Sequence, residues 1–205
     1  MKYMSEQLAD GLGWAEGPAI LSDGRVCFVE TYRSQVSVWE KGKGVSQYAF
    51  TAGGPNSCVL GKSGELYVCQ NGGTTGPWRA KQMVQPSIQV IASQGAKAET
   101  LVTQIEGISF NGPNDLVFGN NGNLYFTDPG TYNTTNPDPS YIFELAPNGD
   151  GRLLAELKPS TLILSSHSCS SFLFILFRNL NNIWLELKLI VEKKFVDYIL
   201  RICDC

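Results

Sequence analysis

Along most of the chain, apolar residues alternate with polar ones in short runs, and the runs are punctuated by glycine. Three of these runs resemble one another: "GRVCFVE" from Gly24, "GELYVCQ" from Gly64 and "GNLYFTD" from Gly122. Each is rich in β-branched or aromatic residues, follows a polar turn closed by glycine, and is preceded by a shorter apolar run. A glycine that tolerates positive φ between two such runs predicts a β-hairpin. Weaker strand patterns fill the gaps: "QVSVWE" around Val36, "SIQVIA" around Ile88, and "SYIFELAPNGDGRLLAEL" from Ser140, with "PNGDG" as its turn.

The unit is therefore about four strands, and it repeats. Each copy carries a Gly-Pro pair, at Gly17-Pro18, Gly54-Pro55 and Gly112-Pro113. The most developed copy reads "NGPNDLVFGNNGNLYFTDPG" from Asn111, and "GGPNSCVLGKSGELYVCQNGG" from Gly53 is its partial echo. Four-stranded units at such a period are blades of a β-propeller. A β-sandwich would not repeat a Gly-Pro entry and a glycine turn at matched positions.

The pattern breaks near Leu157. All 21 glycines lie before Lys158, and Pro159 is the single proline after it. Leu180, Ile183, Trp184, Leu187 and Val191 fall at helical spacing, extended by Phe195 and Ile199, which predicts an amphipathic helix over roughly residues 179–201. Residues 161–177 carry no charge but are interrupted by serines, and read as a partly buried strand or helix rather than a membrane span. The expected organisation is an all-β partial propeller of three to four blades over residues 1–157, then an atypical, helical tail over 158–205.

Composition narrows the function. The chain has 205 residues and a formal net charge of −3, with no basic stripe, which argues against nucleic acid as a partner. The N-terminal stretch has neither an apolar core nor a cleavage signature, so a cytoplasmic protein is expected. Of six cysteines, Cys27, Cys58 and Cys69 lie inside strand-like runs and are expected as buried free thiols. His167 is the single histidine and no G-x-S-x-G is present, which leaves no Ser-His-Asp triad and no ordinary zinc site.

Glu16-Gly17-Pro18, "GPNDLVF" and "GNLYFTDPG" resemble the gluconolactonase-like family, which groups senescence-marker protein, sugar lactonases and luciferin-regenerating enzyme. The resemblance runs over roughly residues 8–157. It implies a six-bladed propeller with one divalent metal, usually calcium, in the central channel, and hydrolysis of sugar or related lactone esters. It assigns Glu16 and Asn114 as metal ligands, with Asn114 also touching substrate. Asn56 sits where Asn114 sits one copy earlier and is a further candidate for the substrate side; Asp128, followed by a proline, is expected to cap the strand-end turn, with a substrate-side role as the alternative. Asp115 is expected to hold its loop through backbone hydrogen bonds.

Two departures accompany the resemblance. Gly112 stands where the family often has an arginine that holds a sugar hydroxyl. The family's later metal-binding Asn and Asp have no counterpart after Leu157. At roughly 40 residues per blade, six blades need about 240 residues, so the chain reads as a truncated member with an incomplete metal site and little activity. The alternatives are a half-propeller that self-associates through its open edge, a non-catalytic propeller-like binding module, or a membrane-associated protein held by residues 162–177.

Overall fold

A computed structural model describes residues 7–130 and 138–157, together with the backbone of three strands further along the chain. Three antiparallel four-stranded sheets follow one another. The first is β1 (Ala15–Ile20), β2 (Val26–Glu30), β3 (Gln35–Glu40) and β4 (Gly44–Phe50), in that spatial order. The second is β5 (Pro55–Leu60), β6 (Leu66–Gln70), β9 (Ser87–Ile91) and β10 (Glu99–Val102); a small hairpin, β7 (Thr74–Thr75) and β8 (Trp78–Arg79), is inserted between β6 and β9. A second short hairpin, β11 (Gln104–Ile105) and β12 (Ile108–Ser109), leads into the third sheet. That sheet is β13 (Leu116–Phe118), β14 (Leu124–Asp128), β15 (Ser140–Leu145) and β16 (Gly151–Leu157). Each sheet is a simple meander, as propeller blades are.

The sheets stack face to face, and the alternation of side chains along a strand explains how. Leu66 and Val68 of β6 enter one apolar cluster with Val29, Val36 and Val38 of the first sheet. Cys69, with the partly buried Tyr67, points the other way into a cluster with Leu116, Phe126 and Phe143 of the third. The middle sheet is thus buried on both faces, which is why its strands are apolar at successive positions rather than at every second one. Full burial of one such Leu or Phe side chain contributes about 1.5–3 kcal/mol. Cys27, Cys58 and Cys69 are buried free thiols, and burial pushes all three up, Cys27 to about 12, so none is a reactive thiolate.

The sequence-predicted hairpins are β1–β2, β5–β6, β13–β14 and β15–β16, and all four form. The equivalence drawn from Gly-Pro does not hold in the first blade. The turn glycines Gly24, Gly64 and Gly122 make the same backbone bond, to Leu21, Gly61 and Gly119 respectively. Counting back from them aligns Ala15, not Pro18, with Pro55 and Pro113. The register fixed by the turn outranks a local dipeptide, because a one-residue slip would turn every buried side chain outward.

Beyond Leu157, β17 (Thr161–Ser165), β18 (Phe174–Arg178) and β19 (Leu187–Leu189) form a three-stranded antiparallel sheet. Leu187–Leu189 lies inside the stretch expected as a helix, and it is a strand. Leu185, Leu187 and Leu189 alternate with Glu186 and Lys188, so this segment carries a period of two as well as a helical one. The rest of residues 179–201 lies outside the described residues, as does His167. Among the described residues, no helix is long and apolar enough to cross a membrane.

Candidate functional site

The first strands of the three blades, β1, β5 and β13, lie side by side, and each has an irregularity near its start. In β1 the register shifts after Glu16, in β5 between Pro55 and Ser57. In the third blade, Asn114 N–H donates to the Thr127 carbonyl at 2.9 Å, while Thr127 N–H donates to the Asp115 carbonyl at 3.0 Å, so two residues oppose one. Such bulges re-aim side chains and recur beside active sites. The pairs at this level are Glu16-Gly17, Asn56-Ser57 and Asn114-Asp115; in β1 Glu16 itself pairs with Val29 and the residues out of register are Gly17 and Pro18. Glu16, Asn56 and Asn114 each stand eight residues before the turn glycine of their hairpin. The three residues expected at the channel therefore occupy one structural position, repeated blade by blade.

The second members of the pairs knit the strands together. Ser57 Oγ donates to Asp115 Oδ1 at 2.6 Å, and Leu116 N–H donates to the same oxygen at 2.9 Å. Gly17 is pressed against Ser57: a Cβ on Gly17 would lie 2.4 Å from Ser57 Cα and 2.5 Å from its Oγ. Gly17 also has φ +52, in the left-handed region that glycine tolerates. Only glycine lets β1 come this close, and the approach brings the charge of Glu16 to bear on Asp115. Burial pushes the Asp115 carboxyl up to about 6; the Ser57 and Leu116 donors oppose this and the Glu16 charge adds to it. Burial raises the Glu16 carboxyl too, against the Trp14 indole N–H, which donates to Glu16 Oε1 at 2.5 Å. Asp115 does hold its loop as expected, and it also couples two blades.

Glu16, Asn56, Asn114 and Asp115 are partly buried and partly open. Among the described residues, no hydrogen bond engages the side chains of Asn56 or Asn114. Oxygen donors of this kind, one carboxylate with carboxamides, suit a hard divalent cation. Among the described residues, no group of three or more His, Cys, Asp or Glu side chains converges as a metal site.

Asp128 caps the turn at the end of its strand rather than serving the substrate side. Its carboxylate accepts from the backbone N–H groups of Asn111 at 2.7 Å, Gly112 at 2.8 Å and Gly130 at 3.0 Å. Both oxygens are spent on the loop that leads to Asn114. Burial raises its carboxyl against those three N–H donors. The same device recurs at equivalent positions: Glu30 accepts from Gly13 N–H at 2.6 Å, and Gln70 Oε1 from Gly54 N–H at 2.6 Å. All three side chains are fully buried. For Glu30, burial would raise the carboxyl, but Gly13 N–H, Ser37, Arg33 and Gln35 outweigh it and hold it below its usual range. At Gly112 a Cβ would fall 2.7 Å from the Gly130 carbonyl oxygen, so no side chain enters the site from this position without displacing that loop.

Sequence reading missed Ser57 and the aromatic residues Trp14, Tyr32 and Trp78 at this end of the blades. Counting from the turn glycines would have found Ser57. The contacts of Trp78 with blade one have no local signal, because they depend on where the inserted hairpin falls.

Known proteins resemble this chain in sequence and in fold. A model of the SMP-30/gluconolactonase/LRE-like region matches residues 14–164, which carries the match past the break expected at Leu157. A gluconolactonase from Zymomonas mobilis is 30% identical over 203 residues, covering 87% of this chain and 53% of the relative, so the chain spans about half the length of that curated relative. Among solved structures, a gluconolactonase from Xanthomonas campestris has a TM-score of 0.70 at 20% identity, covering 93% of this chain and 63% of the other. An aldose sugar dehydrogenase from Streptomyces coelicolor has a TM-score of 0.61 at 16% identity, covering 90% of this chain and 62% of the other. These structural likenesses speak to the fold, while the family match rests on sequence across most of the described residues. The chain belongs to the SMP-30/gluconolactonase/LRE-like family.

Proposed function

We propose that this chain binds a lactone ester at the bulged ends of β1, β5 and β13 and hydrolyses it slowly. The observation that carries the reading is the alignment of Glu16, Asn56 and Asn114 at one repeated position, beside Asp115. Glu16 and the carboxamide oxygens of Asn56 and Asn114 would hold a hard divalent cation, calcium by its preference for oxygen ligands. When bound, such a cation polarises a lactone carbonyl. Affinity follows the number and charge of the ligands, and this set has one carboxylate and two neutral amides, so weak binding is expected.

The chain's own groups supply the rest. Glu16 Oε1 is held by Trp14, which leaves Oε2 as the oxygen that would face a cation. Ser57 and Leu116 both engage Asp115 Oδ1, which leaves Oδ2 to accept a proton from the attacking water. Water adds to the lactone carbonyl carbon, the ring C–O bond breaks, and the proton returns to the departing oxygen to give the hydroxy acid.

Proton release from glucono-1,5-lactone, measured with calcium and with a chelator, tests the reading. Chelator-sensitive hydrolysis that Glu16→Gln and Asn114→Ala abolish would support it. Hydrolysis indifferent to both would overturn it, and calcium uptake without any turnover would favour a non-catalytic binding module.

A further inference from the structure

Trp14 is a bulky residue in the left-handed region of backbone conformation, with φ 62. A non-glycine residue held there costs on the order of 1–3 kcal/mol and persists only where its surroundings impose it. The surroundings here are specific. The Trp14 carbonyl accepts from Thr31 N–H at 3.1 Å, the Gly13 carbonyl from Tyr32 N–H at 2.9 Å, and Gly13 N–H is fixed by Glu30. The twist carries the indole toward Glu16, whose Oε1 accepts from Nε1–H at 2.5 Å.

The ring is braced from its other side. Trp14 packs on Tyr32 with centroids 5.3 Å apart, and Tyr32 stacks on Trp78 at 5.1 Å. Trp78 belongs to β8, in the hairpin inserted into the second sheet. Trp14 and Tyr32 are 50% and 41% exposed, so burial does not hold these rings in place; the stack and the hydrogen bond do. A continuous set of contacts thus runs from the second blade's hairpin through Trp78, Tyr32 and Trp14 to the Glu16 carboxylate.

We propose that Trp14 is a positioning residue for Glu16, and that the β7–β8 hairpin sets its angle through the three-ring stack. The indole N–H fixes one carboxylate oxygen and so presents the other in a single orientation. The proposal rests on the role given to Glu16 above. Partners that orient a ligand in this way tune metal affinity without touching the metal.

The test uses the full 205-residue chain. In proton–nitrogen correlation spectra, the Trp14 indole peak is assigned by its loss in Trp14→Phe. It is expected to lie downfield, and to move upfield in Glu16→Gln and also in Trp78→Ala, which leaves Glu16 intact. A peak unmoved by either substitution overturns the proposal. Calcium titration by calorimetry is the second arm. Trp14→Phe, which keeps the stack but lacks the N–H, is expected to weaken calcium binding roughly 10- to 100-fold. Unchanged affinity in that variant also overturns the proposal. A wild-type chain that takes up no calcium defeats the functional reading above, and the indole spectra still decide the role of Trp14.

Discussion

Ser57 of the second blade and Asp115 of the third, 58 positions apart in the chain, are joined by a 2.6 Å hydrogen bond. They are the same position of successive blades, so a repeated site is bonded to its own next copy. This explains why one copy reads Asn-Asp and the other Asn-Ser: a carboxylate needs a donor across the blade boundary, and a second carboxylate there would repel it.

Asp115 gives a pH signature. Its folded pKa of about 6 lies above the ordinary 3.8, so the folded state holds the proton more tightly than the unfolded chain. Stability is then fully present below the lower value and falls as pH rises through the upper one. In calcium-free buffer, Asp115→Asn should flatten this dependence, changing its stability relative to wild type by at most about 3 kcal/mol between acid and neutral pH. Urea unfolding at the two ends of the window measures it. An Asp115→Asn variant whose pH dependence matches that of wild type would contradict the assignment.

Gly17→Ala should be among the costlier small substitutions. The new Cβ would lie 2.4 Å from a backbone atom of Ser57, and φ +52 is unfavourable for alanine. Strain and overpacking together should cost about 2–4 kcal/mol. Thermal unfolding checks this, and Gly24→Ala, where the added Cβ would meet nothing within 4 Å, isolates the φ contribution.

The buried acceptors at Glu30, Gln70 and Asp128 predict a graded series. Asp128→Ala leaves three backbone N–H groups without their acceptor and should cost about 3 kcal/mol or more. Glu30→Gln retains an acceptor for Gly13 N–H, as Gln70 does for Gly54 in the next blade, and should cost less than Glu30→Ala. Equal losses for the two Glu30 variants would show that the ion pair with Arg33 matters more than the backbone bond.

Charge at the repeated position should set cation affinity. Asn114→Asp adds a carboxylate beside Glu16 and should tighten calcium binding roughly tenfold, following ligand charge. Asn56→Asp should act in the same direction. Calorimetry decides, and a variant that binds no better than wild type would remove that residue from the ligand set.

Much of the architecture was legible from residues alone. Gly24, Gly64 and Gly122 mark tight turns through a conformation few other residues adopt, and the alternation on either side marks the strands. The site was legible in part. Glu16, Asn56 and Asn114 could be named, yet the Gly-Pro pairing put Glu16 out of step with the other two. The proline after Asp128 marks it as a cap of the strand-end turn, and its oxygens are committed to Asn111, Gly112 and Gly130 rather than to the substrate side. In the tail, Leu187 fits two periods at once, and spacing could not choose between them.

The sequence by itself determined the four-strand unit and its repetition, because both follow from local rules, turn conformation and side-chain alternation, while the oxygen donors of the proposed site were named through the family resemblance. The tertiary structure decided which residues stand together. Ser57 meets Asp115, Gly17 meets Ser57, and Trp78 reaches Tyr32 only because neighbouring blades pack face to face and align their first strands. Those contacts join residues far apart in the chain, and their distances are set by the packing of whole sheets, on which no single stretch of sequence carries a signal.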